Sequence, residues 1–139
     1  MQLIISGELQ VAEIQADFNK VFPFLKLEFF RNNRIRLDRY PITQMISNKT
    51  KLKEAWVGNN KEGIAEISGD MTVLELENIL MNRFGLAAQV FRKSGNIWLE
   101  TIRTDNWTLK QQNDHGMEIC EDEHFREEND YDLSRDAGN

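Results

Sequence analysis

The chain holds one cysteine, two histidines and two prolines in 139 residues, and each scarcity excludes something. A single cysteine, Cys120, cannot form an internal disulfide, which points to a reducing, intracellular setting. With one cysteine, and with His115 and His124 both in or near the C-terminal end, no catalytic triad can be assembled from motifs. A nucleophile elbow and a phosphate-binding glycine loop are also absent. No apolar stretch reaches the roughly 20 residues that a membrane-spanning helix needs. The opening MQLIISGELQ has no basic leading region and only a short apolar run, so it does not read as a signal peptide. A cytoplasmic protein with no membrane partner, no cofactor and no enzymatic activity is expected.

Excess charge of one sign is also missing from most of the chain. The net charge of −6 belongs to the end. Residues 118–139 carry nine acidic side chains and two arginines, giving −7, whereas residues 1–117 sum to +1. Within that near-neutral body, residues 26–53 hold eight Lys/Arg against Glu28 and Asp38, giving +6. Such asymmetry bears on partners and solubility and says little about fold.

What is present is an internal repeat. Ile5, Ser6, Gly7, Val11, Glu13, Phe22, Phe29, Ile35 and Leu37 recur 62 positions later as Ile67, Ser68, Gly69, Val73, Glu75, Phe84, Phe91, Ile97 and Leu99. The match runs without a gap over residues 5–40, so it sets the architecture. In each copy a short strand precedes a helix, followed by a hairpin. Val11, Ile14, Phe18 and Phe22 share one helical face, as do Val73, Leu76, Leu80 and Phe84. Pro23 ends the first helix because it cannot donate the next backbone bond. Gly85 stands at the same place in the second and suits a left-handed cap.

Residues 24–31 and 34–39 read as strands joined at Asn32-Asn33, with Ile35 and Leu37 inward and Arg34 and Arg36 outward. By the same offset, Ile97 and Leu99 are expected inward and Trp98 on the opposite face. Residues 64–68, 87–93 and 96–103 are the strands of the second copy, with the last two joined at Ser94-Gly95. Thr72-Val-Leu-Glu75 and Thr108-Leu-Lys-Gln111 are capping boxes. The second would open a helix from Leu109 to about His115, with Gly116 as its stop. Residues 41–63 are poorly patterned; KLKEAWV, residues 51–57, reads as a candidate strand, of which residues 52–57 are expected to pair with residues 64–68.

Three constellations invite a chemical reading. His115, Cys120 and His124 lie near Glu118, Glu121 and Asp122, but their spacing matches no common zinc pattern, so no metal is assigned. Arg31, Arg34, Arg36 and Arg39, with Lys49, Lys51 and Lys53 following, form a basic hairpin region able to hold phosphates, with Phe30 and Tyr40 as base platforms. The blander reading is a solvated sheet face whose charge discourages edge aggregation. Trp98 replaces Arg36 in the second copy, and on an outer face it needs a cover. That cover is either Trp107 or the third helix, or a partner protein, since Trp is enriched in contact patches. The candidate binding residues are therefore Arg31, Arg34, Arg36, Arg39 and Trp98.

The runs VFPFLKLEFF (Val21 to Phe30), FGLAAQVFRKSGNIWLET (Phe84 to Thr101) and TDNWTL (Thr104 to Leu109) resemble a family of short, uncharacterised bacterial proteins with the same combination. The resemblance covers most of residues 5–113. It implies no activity and carries over no catalytic residue, and the acidic end after Gly116 lies outside it.

The expected fold is α+β. It is a two-layer sandwich of two duplicated βαββ units, about 2–57 and 64–116, related by a pseudo-twofold axis. The helices cover one face of an antiparallel-rich sheet; a split arrangement like the ferredoxin fold is the alternative. Residues 1–117 form one compact domain. Residues 118–139 form an acidic disordered tail that cannot bury enough apolar surface to order itself and that transiently covers the basic hairpin. The expected function is non-catalytic binding or regulation through protein contacts, with nucleic-acid binding by the basic hairpin at 26–53 as the alternative.

Overall fold

The computed structural model describes residues 1–31, 42–56 and 61–122. In chain order these form β1 (Gln2–Ile5), α1 (Val11–Val21) and β2 (Leu25–Phe30), then β3 (Gly63–Glu66), α2 (Val73–Phe84), β4 (Ala87–Ser94) and β5 (Ile97–Glu100). A third helix, α3, follows over residues 109–122. Short 3-10 turns occupy Ile42–Gln44, Leu52–Ala55 and Ile102–Thr104. The class is α+β, and the strands pair antiparallel in two sheets, β1-β3 and β2-β4-β5.

The helices form where the apolar spacing places them. Val11, Ile14, Phe18 and Phe22 are all buried, as are Val73, Leu76, Leu80 and Phe84. Thr72 Oγ1 accepts the Glu75 N–H at 3.1 Å, satisfying one of the first-turn donors of α2. At the other end Gly85 adopts φ +66°, a left-handed cap whose N–H reaches back to Leu80 and Met81. In α1 the Glu13 carboxylate accepts the Gln10 N–H at 2.8 Å. α3 opens with both halves of a capping box: Thr108 N–H to Gln111 Oε1 at 2.9 Å, and Gln111 N–H to Thr108 Oγ1 at 3.1 Å.

The two halves place equivalent residues in equivalent bonds. Across β1 and β3, Leu3 faces Ala65, its counterpart at the 62-residue offset. Across β2 and β4, Leu25 faces Arg92 and Phe30 faces Ala87, so each end of the ladder repeats the other at that offset. The start of α1 is seated by Val11 N–H on Thr50 O at 2.9 Å and Ala12 N–H on Asn48 O at 2.8 Å. The start of α2 is seated by Val73 N–H on Trp107 O at 3.0 Å and Leu74 N–H on Asp105 O at 2.8 Å. The supporting segments, residues 48–50 and 105–107, are 57 positions apart, five fewer than the helices they hold.

One large core joins β1, α1, β2, β3, α2 and β4, with Leu52 and Leu109, each two residues past a supporting segment, completing it. The opposite face of β2-β4 is buried as well. There Phe30, Ala87 and Phe91 form a second cluster with Met45, Met81 and Trp98 packed on it. Glu28 and Gln89, paired across these strands, are also buried.

Several expectations need correction. The strand expected over residues 51–57 is absent from their described part, residues 51–56: Leu52–Ala55 closes into a 3-10 turn that buries Leu52 and Ala55, three residues apart, and β3 pairs with β1 instead. Ile97 and Leu99 do not point inward; they are 58% and 38% exposed. The reason is register. Among the described residues β5 pairs with Phe91–Ser94, and β4 is leaving the core there, its residues after Phe91 being partly exposed. Gly116 does not stop α3, which continues to residue 122, so residues 118–122 are helical. Gly116 is required for contact: a Cβ there would come 2.9 Å from Phe24 Cβ and 3.1 Å from Arg92 Cγ. The Asn32-Asn33 turn, the strand at 34–39 and the acidic segment 123–139 lie outside the described residues, as does the expected contact between tail and hairpin.

Candidate binding site

The α1 stripe Ala12, Gln15, Ala16 and Asn19 follows helical spacing beside the buried Val11, Ile14 and Phe18. Its amides anchor it to β2. Gln15 Nε2 donates to Leu27 O at 2.8 Å, and Asn19 Nδ2 donates to Pro23 O at 3.1 Å and Leu25 O at 3.2 Å. The two alanines keep the surface between them low. Ala12, Ala16 and the amides line an open groove of about 290 Å³ together with Leu25, Lys26, Asn48 and Trp98.

Trp98 is held there by Lys26, whose ammonium lies 5.6 Å from the ring centroid, a cation–π distance. Lys26 Nζ also lies 2.8 Å from Glu28 Oε1, and Glu28 is almost fully buried. Gln89 stands opposite Glu28, and its buried Oε1 has no hydrogen-bond partner. Trp98 thus meets Lys26 of β2 and the second cluster. Trp107, one of the covers expected for Trp98, has neighbours of its own. Trp107 packs edge-on against His115 with ring centroids 5.4 Å apart, and the Arg92 guanidinium lies 5.9 Å from its centroid.

Most described members of the basic block stand beside carboxylates. Of the arginines singled out, Arg31 lies 3.5 Å from Glu54, both half-exposed; Arg34, Arg36 and Arg39 lie outside the described residues. Lys51 and Lys53 both reach Glu8, at 2.8 and 3.5 Å. The bonded Lys51 ammonium holds the Glu8 carboxyl below its usual range and in turn raises its own affinity for a proton. Four of the five described cations in the block, Lys26, Arg31, Lys51 and Lys53, therefore have a carboxylate neighbour.

A second polar group, at the base of α2, escaped sequence reasoning. Glu77 Oε2 accepts the Val90 N–H at 3.0 Å. Burial, with the Asp105 charge as a lesser cause, pushes its carboxyl up to about 7, against the opposing effect of the Val90 bond. Arg92, also shielded, is shifted downward by burial, and its Nη1 donates to Gln112 Oε1 at 2.8 Å. Two signals for these residues were available: the alanine/amide stripe beside the apolar face of α1, and the replacement of Gln15 by Glu77 at the repeat offset.

Among the described residues no group of three His, Cys, Asp or Glu is placed to hold a metal ion. Cys120 Sγ lies 3.9 Å from Lys93 O. No helix among the described residues is long and apolar enough to cross a membrane. Comparison with protein-family models, with curated proteins and with solved structures finds no match.

Proposed function

We propose that this chain is a non-catalytic binding or regulatory protein acting through protein contacts, and that the groove at Trp98 is its contact site. The observation that carries this reading is Trp98 itself. It lines an open groove with Lys26 against its ring, and alanines and amides of α1 line the same groove. Tryptophans at such rims supply large apolar area, and amide side chains match a partner's backbone groups. Small side chains in the groove admit a partner residue without repacking.

The same reading treats the two halves as duplicated βαββ units about a pseudo-twofold axis, within one compact domain. The shared ladder registers and the matching helix-seating bonds support it. In the first unit the place of Trp98 belongs to Arg36, so the units diverge at the surface while their core positions stay alike. The likeness of Val21–Phe30 and Phe84–Thr101 to short bacterial proteins is compatible with this reading and adds no activity. Binding of nucleic acid through residues 26–53 has less support, because carboxylates already sit beside most of the described cations there.

Affinity capture from the native lysate, with nuclease-treated and untreated arms, tests the proposal. A polypeptide retained in both arms by the wild-type chain and lost with Trp98→Ala is expected. Retention that disappears with nuclease, or that ignores the substitution, argues for the nucleic-acid reading or against the groove.

A further inference from the structure

β5 is an edge strand: the sheet order is β2-β4-β5, and no described strand lies beyond it. The direction of its backbone groups follows from the ladder. Lys93 N–H bonds Phe24 O at 2.9 Å, on the β2 side, so Lys93 turns its peptide groups away from β5. Trp98 faces Lys93 in register, so that pair exchanges no bonds, and the N–H and C=O of Trp98 point out from the sheet. Neither group has a hydrogen-bond partner among the described residues. The Trp98 ring does not fill the edge: it packs on the second cluster and lies by Lys26 of β2, across β4 from β5.

The opposite edge of the same sheet is closed. On β2, Leu25 O and Leu27 O take the Asn19 and Gln15 amides, and Phe29 O takes the Ile46 N–H at 2.9 Å. Arg31 N–H goes to Gln44 O at 2.9 Å. β5 carries none of the usual guards of an exposed edge, since Ile-Trp-Leu-Glu holds no lysine, proline or bulge. On one face of it Ile97 and Leu99 are 58% and 38% exposed, and their neighbours across the ladder are Ser94 and Arg92. Ile4 and Ile64, also exposed, differ in that they face each other across β1 and β3.

We propose that β5 pairs antiparallel with β5 of a second copy of this chain, about a twofold axis at Trp98, joining two three-stranded sheets into one.

The strand is complementary to itself in this register. On the axis, each Trp98 N–H meets the C=O of the other copy's Trp98, so both outward backbone groups are satisfied. Ile97 then falls opposite the second copy's Leu99, and Leu99 opposite its Ile97, which gathers the exposed aliphatic side chains of both strands on one face. One step further out Glu100 comes opposite Asn96, so no like charges meet. An axis at Leu99 would instead set Ile97 against Thr101, which is buried and bonded to Val90 O. The pairing uses the Trp98 backbone, not its ring, and so is independent of the groove.

Sedimentation and amide hydrogen exchange on the full chain test the pairing. A strand of four residues buries less than the roughly 1,200 Å² of a tight complex, so the measurements span roughly 10 μM to 1 mM. The expected results are a monomer that becomes a dimer as concentration rises, and a Trp98 amide whose exchange slows about tenfold as the dimer forms. Ile97→Lys and Leu99→Lys, which put a charge on the edge, should each keep the chain monomeric and the Trp98 amide fast throughout. Ile4→Lys, on the other sheet, should dimerise like the wild type. A chain that stays monomeric at the highest concentration overturns the proposal. So does a dimer that survives either substitution in β5 or is lost with Ile4→Lys. If a β5 variant does not fold, the wild-type Trp98 amide decides: exchange that ignores concentration overturns the pairing.

Discussion

Leu3 of β1 faces Ala65 of β3, the residue 62 positions further along the chain, and both are fully buried. A large and a small side chain meet across the β1–β3 ladder. The pair fills one space between them, so neither tolerates a change of volume alone. Leu3→Ala should cost about 3 kcal/mol by leaving a cavity, and Ala65→Leu about 2 kcal/mol by overpacking. Denaturant midpoints check both, and a Leu3→Ala chain as stable as the wild type contradicts this packing.

Gly116 offers a test in which two effects oppose each other. On helix propensity alone, Gly→Ala inside α3 should stabilise by about 1 kcal/mol. The added methyl would sit 2.9 Å from Phe24 Cβ, which has no flexible end to swing away. The steric cost should win, so Gly116→Ala is expected to lower the thermal midpoint by several degrees, on the order of 1–2 kcal/mol for a domain of this size. A raised midpoint would mean that α3 does not lie on Phe24 and Arg92.

Helix caps supply a graded pair. Thr72→Ala removes a single bond, to Glu75 N–H, and should cost about 1 kcal/mol. Thr108→Ala removes the hydroxyl half of a two-way box and should cost a similar amount. Its effect should also appear locally, as faster exchange of the Gln111 amide. Unchanged exchange there speaks against the box.

Glu77 sets a pH dependence whose sign follows from its displacement from 4.5 to about 7. Below 4.5 the group is protonated in both the folded and unfolded chains and costs nothing. Between 4.5 and 7 the unfolded chain releases the proton first, so stability falls as pH rises; above 7 the penalty is complete. Glu77→Gln should therefore match the wild type at about pH 4 and exceed it by about 2 kcal/mol at about pH 8, a value reduced from the full linkage figure because the residue keeps some contact with water. Urea melts at the two pH values check this, and an equal gain at both would assign the effect to packing instead of charge.

Much of this arrangement was legible in the sequence because it rests on local periodicity. The buried faces of α1 and α2, the Gly85 cap and the Thr108–Gln111 box follow from spacing and side-chain chemistry within a few residues. What failed depended on distant partners. Ile97 and Leu99 alternate like core residues, but β5 pairs with the part of β4 that has already left the core. Gly116 reads as a helix stop, whereas Phe24, far away in sequence, is what demands a small residue there. Leu52–Ala55 carries an apolar pattern short enough to suit a strand or a turn, and Leu9, which accepts the Leu52 N–H at 2.8 Å, selects the turn. Trp98 stood out as a residue needing cover. Its neighbours, Lys26 and the second cluster, could not be named without knowing that β5 joins the sheet of β2 and β4.

The groove at Trp98 is tested most directly by a photo-crosslinking residue placed at Asn19, on its rim, in cells that make the native partners. The expected result is a crosslink to a polypeptide that resists nuclease and disappears when Trp98→Ala is added, while the melting curve of the doubly substituted chain shows it still folded. Crosslinks confined to nucleic acid, or a polypeptide crosslink that survives Trp98→Ala undiminished, would contradict the proposal that this chain works through a protein contact at Trp98.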